Sequence, residues 1–298
     1  MKKFQVITDS TSDLTKQSRE QYDVDYFKMI FTIDDKDYDA DLDWAALSPD
    51  EYYQMMRNGK RSITSLPSNT EFDTKFKKYL EQGLDVLFVT CSSKLSGTCD
   101  HARQLASEFE KAYPGRRVLI LDSLRSNYAE GMIAMKAASL ANEGKDVQEV
   151  YDLMSKELLK YQVHAIVGSL EWLKKAGRVK ASTAFFGNMI GIKPIICSDA
   201  KGNNFAYEKV VGRKKSIERL IQIVAERVED APNATIYVEH ANCIDDANYF
   251  VSRIKEIVKP KEVLLSNVGP IIGATVGPDT ITCSFYGKEV DFYDGQEK

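Results

Sequence analysis

Ser92-Ser93-Lys94-Leu95-Ser96-Gly97-Thr98 places four hydroxyls and a glycine between an apolar run and a helical pattern. Val86-Leu87-Phe88-Val89-Thr90 predicts a buried strand, and the spacing from 98 to 112 predicts a helix. A helix N-terminus exposes unpaired N–H groups and carries a partial positive charge. Serine and threonine donors beside it make a neutral anion receptor. Two more predicted strand ends carry similar residues: Asp9-Ser10-Thr11-Ser12 and Asp122-Ser123. Ligands bind beyond the carboxyl ends of parallel strands, so the three turns are expected to lie close together. A fourth hydroxyl cluster, Thr64-Ser65-Leu66-Pro67-Ser68, precedes a helix predicted over 71–81, with Ser68 or Asn69 as its N-cap. Such residues are also ordinary caps and turn formers, and Asp9 and Asp13 read as caps rather than catalysts.

Catalytic equipment is sparse around these turns. Ser96 sits in Leu-Ser-Gly-Thr, which is not a nucleophile elbow, and no histidine is placed as its base. His101 lies along the following helix, where a core or surface role is expected. Neither a phosphate-loop nor a dinucleotide fingerprint occurs. Cys91 reads as a buried strand-end thiol rather than a nucleophile. A glycine- and proline-rich stretch, Gly269 to Asp279, reads as an irregular backbone path between the last two strands.

The elements that must position these residues alternate. In the first half, strands at 4–8, 86–90 and 117–122 are followed by helices, which predicts a parallel sheet. Residues 24–62 read as a hairpin-like insertion with a short helix at 49–58. The amphipathic segment 147–161 is the expected joint. Beyond it, strands near 165–167, 194–197, 207–211, 235–238, 263–267 and 280–286 mix with helices at 170–176, 214–229 and 245–258. The expected fold class is therefore α/β with two domains. Residues 1–160 form a parallel-sheet domain, and residues 161–298 form a mixed-sheet domain ending at strand 280–286.

Composition narrows the function classes. The chain has 298 residues, 43% of them hydrophobic, enough for two cores. A net charge of −4 offers no general attraction to nucleic acid or anionic membranes. No apolar stretch is long enough to span a bilayer, and the first residues lack the apolar core of a signal peptide. Five scattered cysteines without a CxxC pair read as free thiols in a reducing cytosol, and no metal site is expected. From the residues alone two functions remain open. One is a non-catalytic carrier of an anionic ligand. The other is a hydroxyl-dependent transferase or hydrolase acting on a small anionic substrate.

Taken together the segments resemble the DegV family of bacterial fatty-acid-binding proteins. The resemblance runs through Ile7-Thr8-Asp9-Ser10-Thr11-Ser12-Asp13-Leu14, the 64–68 and 92–98 clusters, and Leu173-Lys174-Lys175-Ala176-Gly177-Arg178. It continues through Ile192-Lys193-Pro194-Ile195 to Gly269-Pro270 and Gly277-Pro278. It implies a non-catalytic, cytoplasmic protein without a cofactor, holding one long-chain fatty acid in a buried tunnel between its domains. It also implies a partner: a separate ATP-binding fatty acid kinase subunit that makes acyl phosphate for phospholipid synthesis. The family pattern places the carboxylate against Thr64, with Ser65 beside it, and against Ser96 and Gly97, with Arg178 near the same end. Where the family reads G-T-H-x-G-P-G, this chain has Gly273-Ala274-Thr275-Val276-Gly277-Pro278-Asp279, so Thr275 stands in the place of a histidine. A threonine hydroxyl donates to a carboxylate but is never cationic.

Overall fold

The computed structural model describes residues 2–180, 191–293 and 296–297. Strand β1 (Phe4–Asp9), helix α1 (Lys16–Tyr22) and strand β2 (Val24–Phe27) open the chain. An insertion follows, made of β3 (Ile30–Ile33), β4 (Lys36–Asp39), α2 (Pro49–Arg57) and β5 (Ser62–Ser65). Then come α3 (Asn69–Leu80), β6 (Asp85–Thr90), α4 (Thr98–Ala112) and β7 (Val118–Asp122). Helices α5 (Asn127–Asn142) and α6 (Val147–Glu157) complete the first half. Strands pair in parallel in the order β2-β1-β6-β7. Their apolar runs are continuous because both faces are covered. Val86 and Phe88 pack against α3 and α4, and Leu87 and Val89 pack against α5. Strand order reverses between β1 and β6, which opens a crevice beyond their carboxyl ends.

The second half contains β8 (Tyr161–Ile166), α7 (Leu170–Ala176), β9 (Val179–Lys180), β10 (Ile192–Ser198) and β11 (Asn204–Val211). It continues with α8 (Arg213–Arg227), β12 (Thr235–His240), α9 (Ile244–Ile257) and β13 (Glu262–Asn267). It ends with α10 (Pro270–Val276), β14 (Ile281–Tyr286), β15 (Phe292–Tyr293) and β16 (Gln296–Glu297). The sheet order is β13-β12-β14-β8-β10-β11-β9, with parallel and antiparallel pairs. Helices α8 and α9 cover its outer face through Ile217, Leu220, Phe250 and Ile254.

Helix α5 lies between the two sheets, against β1 on one side and β8 and β14 on the other. Its alanine-rich sequence is apolar nearly all round, as a helix in a middle layer must be. Gly131 is required there, because a Cβ would stand 2.6 Å from Leu14 and 3.0 Å from the Ser12 carbonyl. The insertion spans both halves. Tyr52 Oη donates to the Pro270 carbonyl at 2.8 Å, and Tyr53 Oη donates to the Val268 carbonyl at 2.7 Å.

Three local expectations change. The 269–279 stretch is largely helical rather than irregular. Pro270 sits at the first position of α10, where its missing N–H costs nothing. Gly273 lets that helix approach α2, because a Cβ there would meet Tyr53 Oη at 2.6 Å. The expected joint helix stops at Glu157, and Tyr161 already belongs to β8. The fold also continues past Tyr286: Val290 and Phe292 are buried with Cys197 and Phe205.

Candidate functional site

A cavity of about 300 Å³ opens where the β1 and β6 ends face the second sheet. Asp9 organises its base. Its Oδ1 accepts from the Thr11 amide at 2.8 Å, and its Oδ2 accepts from the Cys91 amide at 3.3 Å. Asp122 Oδ1 accepts from the Ser93 amide at 3.2 Å. The three strand-end turns are therefore tied together, as the sequence predicts. Ser92 Oγ also donates to the Gly202 carbonyl at 2.8 Å, which docks the β10–β11 turn on the same loop.

All six residues singled out in the sequence line this cavity: Thr64, Ser65, Ser96, Gly97, Arg178 and Thr275. Thr64 and Ser65 end β5, where they pair with Phe31 and Ile30. Ser96 forms an ST-turn, its Oγ 2.9 Å from Thr98 Oγ1 and accepting from the Thr98 amide at 3.3 Å. Gly97 is the N-cap of α4 and supplies no side-chain cap, which leaves first-turn amides for an anion. Arg178 follows α7, which ends at Gly177 with φ +69°. Helix α7 packs on α10, and this brings Arg178 next to Thr275. Thr64, Arg178 and Thr275 also border a small outer recess with Arg61, Trp172 and Lys175. Ser65, Gly97 and Arg178 are exposed, so these polar groups form a mouth.

The walls below the mouth are apolar, formed by Met29, Leu66, Leu95, Ile196, Ile271 and Ile272. The floor is buried and partly polar, with Thr11, Ser126, Asn127, Cys197 and Thr282. Thr11 Oγ1 lies 2.5 Å from Asp9 Oδ1 and 2.6 Å from Glu130 Oε2. A hydroxyl has one hydrogen, so one of these acids must bring its own. Burial raises Glu130 well above the usual carboxyl range, and Asp9 adds to the rise. Burial raises Asp9 as well, so the Thr11 hydroxyl bridges two acids that both favour the protonated form. Burial also pushes the Cys91 thiol far up, which leaves it inert as a nucleophile. Among the described residues no base hydrogen-bonds to Ser96, and His101 Nε2 instead meets Asn69 Oδ1 at 2.7 Å. Among the described residues no group of three His, Cys, Asp or Glu is arranged for a metal ion.

Sequence reasoning reached Thr11 but missed the rest of the floor. Ser126 and Asn127 lie just past the flagged Asp122-Ser123 turn. Asn204 and Thr282 are ordinary strand residues brought in only by sheet pairing. A single acidic residue inside the alanine-rich α5, Glu130, was the available signal for a buried polar centre.

One position departs from the resemblance with a visible structural reason. Asp279, where the family pattern has glycine, adopts φ +63°. Arg57 of the insertion holds it through two 2.9 Å bonds, Nη1 to Oδ2 and Nη2 to Oδ1. The forked ion pair opposes the left-handed strain.

Comparison with known proteins agrees with this architecture. Residues 3–288 match the family model described as "Uncharacterised protein, DegV family". A DegV domain-containing protein of Clostridium perfringens is 31% identical over 287 residues, covering 96% of this chain and 98% of that protein. A DegV lipid-binding protein from Thermotoga maritima superposes with a TM-score of 0.82 at 26% identity, over 97% of this chain and 99% of that one. A Thermus thermophilus DegV family protein, described for its fatty acid binding, gives 0.83 at 27% identity, over 96% and 100%. The chain belongs to the DegV family.

Proposed function

We propose that this protein is a non-catalytic carrier of one long-chain fatty acid. Thr64, Ser65, Ser96, Gly97, Thr275 and Arg178 receive the carboxylate at the mouth. The apolar walls enclose the acyl chain as a tunnel between domains spanning 1–160 and 161–298. The observation that carries this reading is a single cavity with an exposed polar rim and apolar walls. That rim draws on four separate stretches of the chain. The fatty-acid binding described for the Thermus protein supports the same assignment. An exposed carboxylate is accessible to a second protein, so we extend the proposal to presentation of the acid to an ATP-binding kinase subunit that forms acyl phosphate. Five free thiols, four of them buried, accord with a cytosolic location.

Native mass spectrometry of protein purified from a bacterial host tests the first step. The expected result is a mass increment equal to one fatty acid, removable by delipidation and restored by added palmitate. A delipidated protein that takes up no fatty acid of any length refutes the carrier reading. Acyl phosphate formed from the loaded protein, ATP and a fatty acid kinase subunit tests the second step.

A further inference from the structure

We propose that the cavity holds a second, uncharged polar subsite, built by Ser126 and Asn204, and that the acid it takes carries a hydroxyl group on its acyl chain. The inference rests on the carrier reading above and narrows its ligand class. Both residues line the cavity, and neither belongs to the rim that receives the carboxylate. Ser126 ends the turn between β7 and α5, and Asn204 opens β11. Two contacts pack these turns together. Arg125 Nη1 donates to the Asp199 carbonyl at 3.1 Å, and a Cβ on Gly202 would stand 3.1 Å from Leu124 Cα. The β10–β11 turn is thereby anchored beside the N-terminus of α5, which sets Asn204 and Ser126 on neighbouring parts of the wall.

Both side chains have hydrogen-bonding capacity to spare. Ser126 is 3% exposed and is the N-cap of α5, yet its hydroxyl caps no amide. Its one partner among the described residues is Asn127 Oδ1 at 3.4 Å, which is long for a hydrogen bond between oxygens. Its lone pairs are open to a donor. Asn204 is half-buried, and its Oδ1 accepts from Ser198 Oγ at 2.8 Å. That bond fixes the amide, and Nδ2 is left without a partner among the described residues. The ground behind Ser126 is polar as well. Arg125 is fully buried, makes no ion pair among the described residues and donates to the carbonyls of Leu124, Asp199 and Tyr161. Its Nη2 is buried without a partner.

A plain methylene packed here strands an amide donor and a serine acceptor, and polar groups buried unpaired are costly. A hydroxyl has one hydrogen and two lone pairs. It can accept from Asn204 Nδ2 and donate to Ser126 Oγ together. A second carboxylate suits the place less, because Thr11 and Asn127 beside it already bond to the buried acids Glu130 and Asp13.

Titration calorimetry of the delipidated full chain tests the subsite. The probes are hexadecanoate and octadecanoate, each compared with forms hydroxylated at mid-chain and at the terminal carbon. At least one hydroxy acid should bind about tenfold tighter than its parent, the yield of one to two net hydrogen bonds. That preference should disappear in Ser126→Ala and in Asn204→Leu. A wholly apolar channel gives the opposite sign, since it buries the hydroxyl unpaired. Parent acids that bind while every hydroxy acid binds equally or more weakly overturn this inference and leave the carrier reading standing. A preference that survives both substitutions overturns the assignment to Ser126 and Asn204. Uptake of no acid at all refutes the carrier reading, and this inference with it.

Discussion

Shortening the ligand by two methylenes should weaken binding about as much as removing the Ser96 hydroxyl. Each buried CH₂ contributes about 0.8 kcal/mol, so hexadecanoate should exceed tetradecanoate by about 1.6 kcal/mol, roughly fifteenfold. A whole long chain contributes on the order of 10 kcal/mol as an upper bound. A hydrogen bond to a charged acceptor is worth about 1.5–3 kcal/mol. At this site the lower end applies, because the Thr98 hydroxyl lies 2.9 Å from Ser96 Oγ and can take its place. Ser96→Ala should therefore cost about 1.5 kcal/mol, roughly twelvefold. Titration calorimetry of delipidated protein with a chain-length series measures both effects. The heat-capacity change should be negative, as apolar burial requires. Affinity that changes less than about threefold between these acids, with Ser96→Ala losing more than about a hundredfold, would refute a tail-dominated site.

Gly131→Ala should destabilise the protein even though alanine is the better helix former, because its Cβ would press on Leu14 and the Ser12 carbonyl. A lower urea midpoint at unchanged slope is expected, and a gain in stability would contradict the close packing of α5. Gly277→Ala should lose about 2–4 kcal/mol, since φ is +72° and a Cβ would stand 2.2 Å from the Trp172 ring. Asp279→Gly relieves backbone strain but removes the Arg57 ion pair, so its stability should stay within about 1 kcal/mol of wild type in chemical denaturation. Thr275→His should strengthen fatty acid binding below about pH 6.5, where the imidazole is charged, and leave it nearly unchanged above. Equal affinity at both pH values would place residue 275 away from the carboxylate.

The α/β class and most elements were legible because their signals are local. Apolar runs such as 86–90, the cap Ser68 and the 98–112 periodicity depend on neighbours within a few residues. Residues Thr64, Ser65, Ser96, Gly97, Arg178 and Thr275 were also named from the sequence, through motif order, but their meeting in one cavity depends on how distant strands and helices pack. The 269–279 stretch shows the limit. Its glycines suggest an irregular path when read alone, and a helix forms because Gly273 admits Tyr53. The buried acids Asp13, Glu130 and Glu239 show it more sharply. Glu239 is fully buried in β12 and accepts from Thr282 Oγ1, 43 positions away in the chain. The sequence by itself determined the elements and the chemistry available at strand ends. The tertiary structure alone decided which hydroxyls face one cavity and which carboxyls are buried, because burial and long-range contact arise only when the two sheets close on α5.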